Sequence, residues 1–210
     1  MADERVSELN GLKPIPYTEA RQWIRNADLL LWRPSTLLGR MIAGLGRSVH
    51  CHAAKAHWVP SICDWEIVET IEGTGGRTRP LRQCVEEAPG LIDWYATNPG
   101  NRFSEFCRND SIDWSVDNVP GRPYGRRSFL AMTATYIPIV RVFWRRSHDD
   151  LAPLAGNPVC SSACAMADRV GGGVDPVPGL ADAWVEPGDL ERSHLYQYRG
   201  TLVLDAEGKL

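Results

Sequence analysis

The sequence predicts an α+β fold in which an antiparallel sheet packs against helices. Strand-like patterns are concentrated between residues 50 and 98, whereas the clearest helical patterns precede and follow that region. Such segregation favours α+β over a doubly wound parallel sheet. The chain has 210 residues, 43% of them hydrophobic, which suffices for one core. We therefore predict a single domain over residues 1–210, with an irregular insertion near residues 99–126.

The first predicted elements alternate between helix and strand. PYTEARQWIRNA (16–27) predicts a short helix with Thr18 as its N-cap. ADLLLW (27–32) is a short apolar run and predicts a buried strand. STLLGRMIAGLGRS (35–48) places its apolar residues on one helical face and predicts an amphipathic helix.

The sheet is predicted mainly from the next segment. HCHAAKAHWV (50–59) and DWEIVETIEG (64–73) read as consecutive strands, with GTGG as the turn after the second. RTRPL (77–81) fits a short return strand, and GLIDWYATN (90–98) fits another strand. A closing strand is predicted near residues 198–204.

Further helices are predicted within and after the insertion. FSEFCRNDSIDW (103–114), inside the insertion, has the composition of a short helix. Residues 126–144 are expected to be helical until Pro138 breaks the pattern. A further helix is predicted over residues 158–170 and ends at a glycine- and proline-rich segment.

Composition excludes several classes of protein. The net charge is −3 and no dense basic stripe occurs, so nucleic acid is not an expected partner. No apolar run approaches the ~20 residues of a membrane span, and the charged N-terminus does not resemble a signal peptide. Six cysteines without a C-x-x-C pair are expected to be free thiols. We expect a cytoplasmic location, with export that needs no signal peptide, or phage-associated delivery, left open.

NPVCSSACAMADRV (157–170) places a cysteine in the first turn of a predicted helix. Asn157 is a suitable N-cap and Pro158 suits the first helical position, which puts Cys160 near the third. Free backbone amides and the helix dipole favour a thiolate there. Cys160 is therefore a candidate nucleophile, and the alternative is that Cys160 and Cys164 are small core residues.

A nucleophilic thiol needs a base, and a base needs a group that orients it. On a strand, His50 and His52 would share one face, so both are candidate bases. Three acidic residues follow on the next strand: Glu66, Glu69 and Glu72. Because successive side chains of a strand point to opposite faces of the sheet, Glu69 would lie on the face opposite to Glu66 and Glu72.

Four sequence segments, in this order along the chain, resemble those of one protein family. They are ADLLLW, then STLLGRMIAGLGRSVHCHAAKA, then EIVETIEGTGGRTRPL, and finally VCSSACAMADRVG with VEPGDLERS. The chain thereby resembles the circularly permuted papain-fold amidases of the YaeF/YiiX type, within the NlpC-like cysteine peptidase superfamily. Two glycines of that family's pattern are replaced, by Ala27 before Asp28 and by Ala53 after the histidine.

The resemblance implies a permuted papain-like fold and a Cys–His–Glu triad. Its histidine falls on His52, its acidic residue on Glu69 and its nucleophile on Cys160, with His50 as a secondary candidate base. It implies hydrolysis of a peptide, a peptidoglycan fragment or an acyl amide or ester through a thioester, without a cofactor or metal.

Two other readings stay open. His50 and His52 could bind zinc together with Cys160 or Glu69, although the established zinc-binding spacings are absent. The chain could also be an inactive binding module of the same fold.

Overall fold

The computed structural model describes residues 13–45, 47–125 and 157–204, and it has an α+β architecture. One seven-stranded sheet, in the order β1-β7-β6-β2-β3-β4-β5, forms the centre. The strands are β1 (Pro14–Pro16), β2 (Leu29–Trp32), β3 (His52–Val59), β4 (Asp64–Ile71), β5 (Gly75–Pro80), β6 (Ile92–Thr97) and β7 (Tyr196–Val203).

Helices cover the sheet and connect its strands. The α-helices are α1 (Tyr17–Ala20), α2 (Leu37–Leu45), α3 (Leu81–Glu87), α4 (Arg108–Asn118), α5 (Cys160–Met166) and α6 (Pro187–Glu191). Short 3-10 helices occur at Pro99–Asn101 and Asp182–Trp184, and α5 continues into a π-helical turn at Ala167–Gly171. Among the described helices, none is long and apolar enough to cross a membrane.

The sheet is mostly antiparallel, as predicted, but β1 pairs with β7 in parallel. This strand was not predicted, because its three residues include two prolines and were assigned in part to the first helix. That helix covers only Tyr17–Ala20 and follows Pro16, so the expected N-cap role of Thr18 is wrong.

Apolar side chains cover both faces of the sheet. One cluster includes Leu30, Ala54 and Ile67 and packs beneath Leu81 and Val85 of α3. A second cluster on the opposite face contains residues of β2, β3 and β6 together with α5: Leu29, Leu31, Ala53, Tyr95, Cys164 and Ala165. Alternation along each strand therefore separates the α3 face from the α5 face.

The segment predicted as an irregular insertion contains an eleven-residue helix, α4. This helix overlaps the short helix expected over residues 103–114. It packs closely on the π-helical turn, because a Cβ at Gly171 would lie 2.6 Å from the Asp110 carbonyl and one at Gly172 would lie 2.5 Å from Phe106. Close contact with the π-helical turn thus stabilises a helix of weak apolar character. The helix predicted over residues 126–144, including Pro138, lies outside the described residues.

A buried polar cluster fixes the π-helical turn to the sheet. The Lys55 ammonium lies 2.6 Å from the Asp168 carboxylate and 3.3 Å from the Tyr196 hydroxyl, while Ser111 donates to Asp168 at 2.7 Å. Tyr196 also donates a hydrogen bond to Asp168. Because the charges are paired and hydrogen-bonded, the cluster holds α4, α5 and β3 together without an unsatisfied buried ion.

Candidate active site

The candidate site lies where two neighbouring strands separate. Pairing between β3 and β4 extends from Val59 opposite Asp64 to Ala54 opposite Glu69. Beyond that point β3 continues to His52 beside β2, whereas β4 continues to Ile71 beside β5. The resulting gap leaves the backbone N–H of Ala53 directed at the sulfur of Cys160.

His52 and Glu69 are diagonal neighbours on the α3 face of the sheet. The His52 Nε2 atom lies 2.7 Å from Glu69 Oε2. Arg77 lies opposite Glu69 in the β4–β5 hairpin, and its Nε donates to Glu69 Oε1 at 2.8 Å. The carboxylate is buried, with 3% of its side chain exposed. Each carboxylate oxygen therefore has one partner, which fixes the orientation of the imidazole.

Cys160 is the first residue of α5, and its thiol lies beside His52, whose charge and hydrogen bonding lower the pKa of the thiol. Because Nε2 of His52 is bonded to Glu69, Nδ1 is the ring nitrogen that serves the sulfur. The backbone amides of Ala53 and Ser161 also donate to the sulfur. The structure thus brings the side chains of Cys160, His52 and Glu69 together.

The helix start differs from the sequence prediction. Val159, not Asn157, is the N-cap, and Cys160 is the first helical residue rather than the third. Ser162 Oγ accepts the Val159 N–H at 2.8 Å, which caps the helix at this point. Asn157 and Pro158 instead pack against Gly125, where a Cβ would lie 1.9 Å from the Asn157 carbonyl.

Electrostatic coupling favours an ionised thiol. Burial opposes the thiolate, but the charge of His52, its hydrogen bond and the two backbone amides together lower the pKa of Cys160. Burial also opposes the imidazolium, yet the charge and hydrogen bond of Cys160, with Glu69, raise the pKa of His52 to about 10. At pH values above the lowered pKa of Cys160 and below about 10, the pair is therefore a thiolate and an imidazolium.

Glu69 is ionised over the whole neutral range. Burial would raise its pKa, but the hydrogen bond and charge of His52, followed by those of Arg77, lower the pKa of Glu69 to about 2. A permanent carboxylate at Nε2 stabilises the imidazolium and therefore the thiolate at Nδ1. The indole of Trp32 lies edge-on to the His52 ring, with 5.2 Å between ring centroids, and limits its rotation.

His50 does not share the site, so its prediction as a second base facing the same side as His52 is wrong. The strand begins at His52, and the His50 N–H is held by Ser48 Oγ at 2.9 Å, outside the period-two pattern. Its Nε2 lies 2.7 Å from Asp93 Oδ2 and its Nδ1 lies 3.1 Å from Glu191 Oε2. Burial opposes protonation, but the hydrogen bonds with these carboxylates raise the pKa of His50.

Sequence reasoning found Glu69, the partner of His52, but missed Arg77, which holds Glu69, and both partners of His50. Arg77 could have been found from the turn, because Glu69 and Arg77 are equally distant from Gly73 at the centre of the hairpin. Asp93 and Glu191 come from distant elements, and no local pattern indicates them. Tyr124, half-buried, also lies near the sulfur, since the charge of Cys160 contributes to raising the pKa of Tyr124 after burial itself.

No family model and no curated protein matches this chain. Among solved structures, a similar one is the metalloprotein YiiX from Escherichia coli O157:H7, with a TM-score of 0.56. The match covers 84% of this chain and 97% of that protein at 10% sequence identity. At this identity the likeness shows a YiiX-like fold alone. It supports the predicted resemblance to YiiX-type proteins, while the papain-like permutation stays a prediction.

A metal centre does not fit the described side chains. Within residues 13–45, 47–125 and 157–204, no group of three or more histidine, cysteine, aspartate or glutamate residues could hold a metal ion. Both nitrogens of His50 are hydrogen-bonded to Glu191 and Asp93, whereas His52 is hydrogen-bonded through Nε2 to Glu69. The predicted zinc site formed by His50 and His52 is therefore wrong, since the two rings belong to separate clusters.

Proposed function

We propose that this protein is a cysteine-dependent hydrolase of amide or acyl bonds, with a permuted papain-like arrangement of its triad. The observation that carries this proposal is the imidazole of His52, which bridges the thiol of Cys160 and the carboxylate of Glu69. The chain order His52, Glu69, Cys160 is compatible with a triad, because such sites are defined by geometry. The YiiX-like fold supports the same assignment.

In the proposed reaction, the thiolate of Cys160 attacks the carbonyl carbon of the substrate. The backbone N–H of Cys160, at the start of α5, stabilises the developing oxyanion. The imidazolium of His52 then donates its Nδ1 proton to the leaving amine or alkoxide, and a thioester forms. Water, deprotonated by His52, hydrolyses the thioester, which releases the Cys160 thiolate and restores the thiolate–imidazolium pair. Glu69 is a positioning residue, because it touches His52 and not the substrate.

The substrate class follows from this chemistry only in part. A peptide or other amide is the preferred substrate, with a peptidoglycan fragment or an acyl ester as the other members of the class. A thiolate with a matched imidazolium can attack amides because the imidazolium protonates the poor leaving group. We also propose that the protein acts in the cytoplasm unless it is exported without a signal peptide or delivered with a phage particle.

The proposal is tested by trapping the thioester. The full chain is mixed with p-nitrophenyl acyl esters and with peptide anilides, and the adduct is located by peptide mass spectrometry. We expect one acyl group on Cys160, with adduct and hydrolysis lost in Cys160→Ala. Cys164→Ala is the matched control, because Cys164 lies one helical turn further along and burial raises its pKa well above the usual range. An adduct that persists in Cys160→Ala would overturn the proposal.

An inactive binding module is the second candidate, favoured by Cys160 being only 8% exposed. It predicts an unreactive thiol and no turnover with any acyl donor. Acylation of Cys160 in the same experiment would exclude it.

A further inference from the structure

A cleft on the sheet contains none of the residues of the candidate active site. Its volume is about 690 Å³, within the usual range for small-molecule sites. It is bounded by β1, β6 and β7 and by the segment that follows α1. The part of β6 that lines the cleft runs from Trp94 to Thr97. Ile92, at the other end of β6, pairs with Trp32 of β2, which in turn pairs with His52.

The cleft has an excess of cationic side chains. Four line it, and one of them, Arg108, is already paired with the buried Asp28 carboxylate at 2.7 Å. The other three, Lys13, Arg25 and Arg199, are exposed and have no ionic partner within the described part of the chain.

Asp28 adds no available negative charge to the cleft. Besides Arg108, it accepts hydrogen bonds from Trp94 Nε1 at 2.8 Å and from two backbone amides. Glu19 is the other carboxylate in the lining. The three cations without an ionic partner and the Glu19 carboxylate together give the cleft a net charge of +2. This charge matches a phosphate monoester dianion.

Aromatic rings provide the second element of recognition. Trp23 lines the cleft and is 67% exposed, which is unusual for the largest apolar side chain. The buried Trp94 indole forms part of the floor. An exposed indole beside arginines offers a stacking face for a flat ring whose anionic group is held by the guanidinium groups.

The rim of the cleft is rigid. Asn98 and Asn101 adopt left-handed backbone conformations, with φ of 47° and 53°. The Asn98 side chain closes this turn by donating to the Phe103 carbonyl at 2.8 Å and accepting its N–H at 2.9 Å. Such a turn keeps its shape without a ligand, as expected for a preformed site.

We propose that this cleft binds a small phosphate ester of a planar ring, of which a nucleoside monophosphate is the simplest soluble example. Lys13, Arg25 and Arg199 hold the phosphate, and Trp23 stacks on the ring. The site is independent of the proposed hydrolase activity, because the two share no residue.

The test is calorimetric titration of the full chain with adenosine monophosphate, adenosine and inorganic phosphate. We expect saturable binding of adenosine monophosphate, with the other two at least tenfold weaker. Arg25→Gln and Arg199→Gln should each weaken binding about tenfold, since a charge-assisted hydrogen bond is lost. Trp23→Leu should weaken binding of adenosine monophosphate without changing that of phosphate. Arg40→Gln, an exposed arginine outside the cleft, is the matched control.

Three results would overturn the proposal: no saturable binding of adenosine monophosphate, equal loss in Arg40→Gln, or phosphate binding as tightly as the nucleotide. Thermal melting of each variant shows that the fold is retained. Cys160→Ala should bind adenosine monophosphate like the unaltered chain. A loss of acylation at Cys160 with nucleotide binding intact would therefore count against the hydrolase alone.

Discussion

Replacing Glu69 with glutamine removes a charge from the candidate triad while nearly preserving shape. The carboxylate is ionised at neutral pH, since the hydrogen bonds and charges of His52 and Arg77 outweigh burial and lower the pKa of Glu69 to about 2. Glu69→Gln therefore removes a full negative charge from Nε2 of His52, where the contact is 2.7 Å. The His52 imidazolium therefore loses stabilisation, and the pKa of His52 falls.

The size of the effect follows from the geometry. Two unit charges about 4 Å apart interact by about 4 kcal/mol at an effective dielectric constant of 20. Arg77 already offsets part of the Glu69 charge, so about half, or 2 kcal/mol, is the expected loss. By the conversion of 1.36 kcal/mol per pH unit, the pKa of His52 falls by about 1.5 pH units from about 10, and the alkaline limb of hydrolysis moves down by the same amount.

The assay is the pH dependence of peptide anilide hydrolysis by the full chain, whose alkaline limb reports the pKa of His52. Glu66→Gln is the matched control, because Glu66 lies on the same strand but on the opposite face, opposite His57. An unchanged alkaline limb in Glu69→Gln, or an equal displacement in Glu66→Gln, would refute the reasoning.

Three further outcomes are expected. Hydrolysis should show a bell-shaped pH profile whose alkaline limb lies near pH 10, where the His52 imidazolium loses its proton, and an alkaline limb near neutral pH would contradict this. Lys55→Met should lower the free energy of unfolding in urea by about 3–5 kcal/mol, because Asp168 remains as a buried unpaired charge; a loss below about 1 kcal/mol would contradict the pairing. His50→Ala should destabilise by about 2–3 kcal/mol at pH 6 and less at pH 9. The raised pKa of His50 gives stability that is complete below its unfolded value and is lost as pH rises through the folded value; equal costs at both pH values would contradict it.

The sequence was most informative where periodicity is local. The strands around residues 29–32, 52–59 and 64–71 were predicted because their apolar patterns reflect burial on one or both faces. Three residues that the sequence singled out, Cys160, His52 and Glu69, lie together in the structure. Their catalytic roles stay predictions, as does the permuted papain-like relationship.

Predictions were wrong where contacts between distant segments decide the backbone. His50 was placed on a strand by alternation, but its hydrogen bonds with Asp93 and Glu191 direct the ring elsewhere. The start of α5 was misplaced because Gly125 packs against Asn157, a contact that no pattern near residue 160 reveals. Ala27 shows the same principle at a turn: its φ of 62° explains why glycine would suit this position, and the surrounding fold holds alanine there.

The central claim is that the Cys160 sulfur is ionised by His52, and competitive alkylation tests it most directly. The native chain is treated at pH 6 with less than one equivalent of iodoacetamide, and the labelled cysteines are identified by mass spectrometry. Cys63 and Cys107 are free and exposed, so they are internal references for ordinary thiols. We predict that Cys160, although only 8% exposed, is labelled first. Preferential labelling of Cys63 and Cys107, with Cys160 unmodified, would contradict the claim.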